Sequence, residues 1–266
     1  MKIGIIGLGL IGGSILKKLS KPGYELYAVT GNDETAEKIK NIAVKVSKDY
    51  DILAECELVF VCTPIRNTIE ALDKLENVVT KDCYVTDVAS VKEFVTLKKR
   101  PYKFIPSHPM AGTEKNGYDA SFEELFIGAK WVVTPYDCRE TDALTNLIKK
   151  LGAEPIFAEA KEHDKAVAMI SHLPMYVSQC LFASALDNPL ALKLASSGFR
   201  DTTRLAATNT TLAMDMLEFN GKNIESAMKN FVNFLNTLKD NYDSEILRNI
   251  KQKRLDMYSK DGKNVL

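Results

Sequence analysis

The side chains with chemical potential are few and widely spaced. Ser107-His108-Pro109 follows the apolar run Lys103–Ile105. A histidine held between serine and proline just after a strand suits a cleft better than a core, and its ordinary pKa near neutrality makes His108 a candidate general base. His172, in Ser171-His172-Leu173-Pro174, lies inside a long apolar helical pattern. A polar residue there is more often a hydrogen-bonded core histidine than a site residue. Gly198-Phe199-Arg200-Asp201-Thr202-Thr203-Arg204 brings two arginines whose planar forks suit carboxylates, with surface ion pairs as the plainer alternative. In Thr86-Asp87-Val88-Ala89-Ser90-Val91-Lys92, either Asp87 or Ser90 caps a helix, or Ser90 bonds a substrate or a histidine. In Cys62-Thr63-Pro64, Pro64 stops a strand and Thr63 either caps a helix or touches a cofactor, while Cys62 reads as a small buried residue.

Gly7-Leu8-Gly9-Leu10-Ile11-Gly12 is a further constellation. A lone G-x-G-x-x-G is weak evidence, but here a strand precedes it, a helix follows and a second β run ends near residue 29, completing a βαβ unit. Gly7 allows the tight turn, Gly9 lets backbone approach a pyrophosphate and Gly12 lets helix and strand pack closely. The helix N-terminus offers free N–H groups to phosphate. The expected dinucleotide-binding residues are Gly7, Gly9, Leu10, Ile11, Gly12, Thr30, Thr63 and Pro64. An acidic residue ending the second strand would select NAD through the ribose 2′-hydroxyl. This chain has Thr30-Gly31-Asn32-Asp33 instead, with Asp33 close enough to fold back and no adjacent arginine for a 2′-phosphate. NAD and NADP both stay open.

These groups need elements to hold them. Candidate strands are Lys2–Ile6, Tyr24–Val29, Leu58–Cys62, Tyr84–Thr86, Lys103–Ile105, Trp131–Thr134 and Pro155–Phe157, with helical patterns such as Gly12–Ser20 and Asn67–Leu75 between them. Strands that alternate with helices and are apolar throughout form a mostly parallel sheet covered on both faces. The expected fold is an α/β Rossmann-type doubly wound domain over residues 1–160, followed by an all-α substrate and dimerisation domain over 161–266. In the second part His163–Leu186 is almost wholly apolar, and Thr211–Phe219, Ile224–Leu238 and Ile246–Tyr258 continue the helical period. A helix apolar all round has to be covered on every side, so a partner subunit and a homodimer are expected.

Composition narrows the classes further. Of 266 residues, 45% are hydrophobic and 26% charged, with 35 basic and 35 acidic side chains. No basic excess advertises nucleic-acid binding, and no stretch approaches the ~20 apolar residues of a membrane span. The N-terminus lacks a secretory h-region. Five scattered cysteines without a C-x-x-C pair, and three histidines, disfavour a disulfide framework and a metal centre. A cytoplasmic protein without metal is expected, acting on a small hydroxy or amino acid that carries a carboxylate.

In order and spacing, G-L-G-L-I-G-G-S, T-D-V-A-S-V-K, S-H-P-M-A-G-T-E, S-H-L-P and G-F-R-D-T-T-R resemble the prephenate/arogenate dehydrogenases of tyrosine biosynthesis. The resemblance covers nearly the whole chain. It implies NAD(P)-dependent oxidative decarboxylation of a cyclohexadienol, giving 4-hydroxyphenylpyruvate from prephenate or tyrosine from arogenate. It also implies that His108 accepts the 4-hydroxyl proton, that Ser90 bonds both His108 and that hydroxyl, and that Arg204, with Asp201 beside it, binds a substrate carboxylate. Glu114 and Thr113 would help organise the pocket and His172 would line it. Many members carry S-H-L-P-H where this chain has Met175; with Thr30, that tilts the expectation slightly towards arogenate and NADP. The chain has no room for a fused mutase or a regulatory domain, so any feedback by tyrosine would act at the site itself. Two other readings compete. One is a β-hydroxyacid dehydrogenase or imine reductase, whose catalytic lysine would be Lys165. The other is a non-catalytic NAD(H)-sensing regulator, which needs the glycines but not His108, Ser90 and Arg204.

Overall fold

The computed structural model describes residues 1–113 and 115–259. Six strands, β1 (Lys2–Ile6), β2 (Glu25–Val29), β3 (Lys45–Ser47), β4 (Leu58–Val61), β5 (Tyr84–Asp87) and β6 (Lys103–Phe104), form one sheet. Its order is β3-β2-β1-β4-β5-β6 and every pair is parallel. That is the doubly wound dinucleotide-binding order, and the strand order reverses beside β1. Helices α1 (Leu10–Leu19), α2 (Asp33–Ile39) and α3 (Ile65–Leu75) connect strands of this sheet. β1 and β4 are buried almost throughout, as strands covered on both faces must be. One core layer gathers Ile5, Leu16, Phe60, Phe126 and Trp131; the other gathers Val59, Leu72, Leu75, Val85 and Phe104. Each such side chain stabilises the fold by ~1.5–3 kcal/mol of apolar burial.

A second sheet has the order β7-β8-β9, from β7 (Ser107–Pro109), β8 (Lys130–Val133) and β9 (Glu154–Phe157), with α4 (Asp142–Leu151) between the last two. β7 runs antiparallel to β8 and pairs His108 with Val132. His108 therefore lies within a strand, where the sequence placed it just after one. β7 is an edge strand, the position that tolerates Pro109. Ser107 fastens it to β5: its hydroxyl donates to the Asp87 carbonyl at 3.0 Å, meets Thr86 Oγ1 at 2.8 Å and accepts from Trp131 Nε1 at 2.9 Å. β3 and β7 are the two strands absent from the sequence expectation.

The rest is helical, as expected. α5 (Ala160–Val167) passes through a π-helical turn, Ala168–His172, into α6 (Leu173–Ser184). Pro174 falls in the first turn of α6, where its missing N–H costs nothing, and the wide turn lies directly before it. Ala160–Ser184 is 25 residues long and contains an 18-residue window of mean hydropathy 1.3, long and apolar enough by those measures to cross a bilayer, although the sequence reading found no such stretch. Its first turns carry Lys161, Glu162, Asp164 and Lys165. Short helices α7 (Pro189–Lys193) and α8 (Ser197–Thr202) follow, then α9 (Thr210–Asp240), non-helical at Asn220, and α10 (Ser244–Ser259).

By packing, the chain forms two compact units, Met1–Ile224 and Glu225–Leu266. In the first, only Met175 and Ser178 of α6 are buried, while Met169, Ile170, Leu181 and Phe182 are exposed. In the second, Phe231, Val232, Phe234 and Leu235 are likewise exposed.

Gly12 tests the packing most simply. A methyl group there would meet the Gly7 carbonyl oxygen at 2.1 Å and Cys62 Cβ at 3.1 Å. Gly12→Ala is expected to destabilise by ~1–3 kcal/mol, read as a fall of several degrees in the calorimetric Tm; an unchanged Tm would contradict the close approach of α1 to the sheet.

Candidate active site

The glycine turn bridges β1 and α1 at the carboxyl edge of the parallel sheet. Gly7 has φ 87°, a conformation that side chains rarely adopt, and a Cβ there would meet the Cys62 carbonyl oxygen at 2.7 Å. Gly9 is the N-cap of α1, and a Cβ on it would meet nothing within 4 Å. Gly7 and Gly12 are thus glycine for packing, while Gly9 faces open space, which is where a pyrophosphate needs backbone access. Leu10 and Ile11 form the half-buried first turn of α1. Across the strand reversal, Thr63 Oγ1 is buried with no hydrogen-bond partner among the described residues, and Pro64, not Thr63, occupies the N-cap of α3. The capping alternative for Thr63 is therefore not realised. Burial pushes the Cys62 thiol up, so it stays protonated and unreactive.

The far end of the loop, after β2, is closed by its own side chains. Thr30 Oγ1 accepts from Asn32 N at 3.2 Å, and Asn32 Oδ1 accepts from Thr35 N at 2.9 Å, capping α2. Asp33 does not fold back on the loop. Its side chain is mostly exposed and pairs with Lys48 at 2.7 Å. The donors around the glycine turn fit a dinucleotide, and nothing near Thr30 decides between its two forms.

All three histidines of the chain gather in one buried region. His108 Nδ1 lies 2.9 Å from His163 Nε2, with the rings nearly perpendicular at 81°. His163 Nδ1 lies 2.8 Å from Asp164 Oδ1. Asp164 also accepts the backbone N–H of Lys92 at 2.7 Å and of Glu93 at 2.8 Å. His172 Nδ1 lies 3.3 Å from Asn220 Nδ2, which also donates to the Asp164 carbonyl at 2.8 Å. Beneath His108, fully buried Lys92 pairs with Asp87 and donates to the Ser107 carbonyl at 2.8 Å. Asp87 also accepts from Ala89 N at 3.0 Å, but the helical turn that follows, Glu93–Thr96, has Lys92 at its N-cap, so neither Asp87 nor Ser90 is the helix cap that one reading expected.

The electrostatics follow from burial. Burial lowers the His108 pKa well below its ordinary value, and His163, Lys92 and His172 add to that. Burial lowers His172 to about 4, with Asp164 opposing and His163 assisting. Burial also raises Asp87 and lowers Lys92, each partly offset by the other's charge. His108 is thus a neutral base at working pH. Ser90 Oγ and His172 Nε2 are buried without a hydrogen-bond partner among the described residues. Together with Thr63, three residues expected at the site hold unused hydrogen-bonding capacity, which native interiors seldom leave unfilled.

Other expectations fare differently. No Ser90–His108 bond forms, because His163 takes His108 Nδ1. Arg200 and Asp201 pair with each other at 3.2 Å on the exposed surface of α8, so Asp201 partners Arg200 and not Arg204. Arg204 is exposed in the short turn Arg204–Ala207 and forms no ion pair among the described residues. Thr113 is exposed and accepts from Lys115 N at 3.2 Å. Glu114 lies outside the described residues. Met175 is buried. Lys165, the lysine of the rival reading, is half exposed and tied to Glu162 at 2.9 Å. The sequence reading missed His163, Asp164, Lys92 and Asn220. The available signal was that His163 is one of only three histidines and adjoins an acid.

A doubly wound sheet, a glycine turn with an open face and a buried neutral histidine define a dinucleotide-dependent oxidoreductase. Two family models match: "Prephenate dehydrogenase, nucleotide-binding domain" over residues 15–156 and "Prephenate dehydrogenase, dimerization domain" over residues 159–255. A prephenate dehydrogenase of Lactococcus lactis subsp. cremoris is 34% identical over 89% of this chain and 70% of its own length. The crystal structure of Synechocystis arogenate dehydrogenase is 33% identical with TM-score 0.81, covering 98% of this chain and 99% of that one. That of prephenate dehydrogenase from A. aeolicus, in complex with hydroxyphenyl propionate and NAD+, is 27% identical with TM-score 0.87, covering 97% and 98%. The chain belongs to the prephenate dehydrogenase family and is an NAD(P)-dependent oxidoreductase.

The buried histidines carry a pH signature. A group whose folded pKa is depressed lets the unfolded chain bind more protons, so its stability contribution is present above the unfolded value and lost as pH falls. For His172 the window runs from its ordinary 6.5 down to about 4. Over that range the wild-type Tm is expected to fall more steeply than that of His172→Asn; parallel curves would contradict a neutral buried His172.

Proposed function

We propose that this chain oxidatively decarboxylates prephenate or arogenate, using NAD or NADP, in tyrosine biosynthesis. One observation carries the reading: His108 is neutral and buried in the same region as His172, whose Nε2, like Ser90 Oγ, has no hydrogen-bond partner among the described residues, in a member of this family. A nicotinamide held at the glycine turn would supply the acceptor for the hydride that leaves the ring carbon. His108 Nε2 takes the proton of the hydroxyl on that carbon, so the alcohol becomes a dienone carbonyl. The ring carboxylate then leaves as carbon dioxide, its bonding electrons aromatise the ring onto the carbonyl oxygen, and that phenolate takes up a proton; the resulting phenol makes the step effectively irreversible. Ser90 orients the hydroxyl and His172 lines the cleft. Arg204 pairs with a substrate carboxylate, its exposed guanidinium being uncommitted among the described residues. Glu114, Thr113 and Asp201 are proposed around it. Gly7, Gly9, Leu10, Ile11, Gly12, Thr30, Thr63 and Pro64 hold the cofactor.

The division at residues 1–160 and 161–266 separates cofactor-binding from substrate and dimerisation roles in this reading. The exposed apolar side chains of α6 and of Phe231–Leu235 are covered in a homodimer, and the enzyme works in the cytoplasm. The exposed, paired Lys165 gives no support to a lysine-dependent hydroxyacid dehydrogenase.

Reduced-cofactor formation, followed with prephenate or arogenate against NAD or NADP, tests the assignment. Turnover in at least one combination is expected, and silence in all four would refute it. His108→Asn is expected to lower kcat by roughly 10²–10⁴ with little change in affinity. Arg204→Ala is expected chiefly to raise the apparent substrate constant, through loss of a charge-assisted pair. The reverse pattern would exchange their roles.

A further inference from the structure

We propose that His163 and Asp164 are positioning residues that form a proton relay behind His108, fixing its tautomer and taking over the proton it accepts. The inference rests on the reaction proposed above and concerns groups that never touch the substrate.

The tautomers follow from counting donors. An ionised carboxylate only accepts. Asp164 Oδ1 receives Lys92 N–H and His163 Nδ1–H, and Oδ2 receives Glu93 N–H. His163 therefore carries its proton on Nδ1, and its Nε2 is an acceptor. The 2.9 Å contact with His108 Nδ1 then requires that His108 donate. His108 is left with its lone pair on Nε2, the atom that must act as base. One carboxylate thus sets two rings in series, and an orienting carboxylate can matter nearly as much as the base it aligns.

The same chain answers a charge problem. His108 is buried, and the groups facing it are Lys92, His172 and His163; Lys92 is paired with Asp87. Among the described residues no carboxylate touches His108 itself, so a cation resting there would be opposed from each of these sides. One ring further on, Asp164 supplies the missing negative charge. The step balances: the substrate O–H proton goes to His108 Nε2, the His108 Nδ1 proton goes to His163 Nε2, and His163 keeps its Nδ1 proton on Asp164. His108 ends neutral, while His163 and Asp164 end as a hydrogen-bonded ion pair. The electron pair of the broken C–H bond leaves as hydride to the nicotinamide.

The experiment pairs a protein-only readout with kinetics. Histidine labelled with ¹⁵N gives three ring systems in this chain. At pH 7.5 His108 and His163 are both expected as the neutral Nδ1–H tautomer, and Asp164→Asn is expected to scramble both. An Nε2–H tautomer at His108 in the wild type would overturn the relay, whatever the turnover. In the kinetic arm, His163→Gln retains an oxygen able to accept from His108 but cannot take the proton, and His163→Leu does neither. The expected fall in kcat is roughly tenfold to a hundredfold for Gln and larger for Leu, within the range of general-base effects. KM should stay within about threefold in both variants. Equal losses in both variants, or kcat within about twofold of wild type, would reduce His163 to packing. Wild-type silence on both substrates would instead refute the reaction, and the tautomers would then decide the relay alone.

Discussion

The Asp164 carboxylate is the contact on which the site depends. It lies at the start of the helical half, yet two of its three donors to the carboxylate are backbone N–H groups of Lys92 and Glu93, just past β5. Its third donor is the ring that backs His108. A fully buried carboxylate is costly unless its lone pairs are filled, and here the bonds that fill them also fix where α5 sits on the Rossmann sheet. Two further contacts reinforce that placement. Arg66, one turn beyond Thr63, binds the buried Asp215 of α9, and Phe94 meets Phe219 at 4.7 Å. Within the first compact unit, the segments that follow β4 and β5 are thus tied to α5 and α9 by charge and ring contacts.

The sheet supplies the other half of the geometry. Ligands of doubly wound sheets bind at the carboxyl ends of the strands, and the glycine turn, Thr63 and the Asp87–Lys92 segment all lie at those ends. His108 arrives from the second sheet and is held by Ser107, whose bonds to Thr86, Asp87 and Trp131 tie β7 against β5. The buried Lys92–Asp87 pair sits beneath this junction and adds a bond to the Ser107 carbonyl. A base on an edge strand is precise only when the strand is pinned in this way.

What the sequence disclosed depended on whether the constraint was local. The glycine turn was legible because Gly7 needs a positive φ and Gly12 tolerates no Cβ, and both demands are met by residue type alone. His108 was legible because few histidines sit between serine and proline after an apolar run. The strand that contains it was not, since three residues ending in proline carry no alternation to read. β3, also three residues long, escaped for the same reason. His163 and Asp164 read as the polar start of an apolar helix. Their importance comes from partners 55 and 72 residues away, and no local period encodes such contacts. The Arg200–Asp201 pairing fell in a motif whose spacing allowed either arginine as the partner of Asp201.

Family membership, the doubly wound order and the buried base converge on one claim: a hydride leaves the carbon whose hydroxyl His108 deprotonates. Deuterium placed at that carbon tests it most directly. The account predicts that the label appears in the reduced nicotinamide, one atom for each carbon dioxide released. Deuterium appearing in solvent, or carbon dioxide released without reduced cofactor, would contradict it.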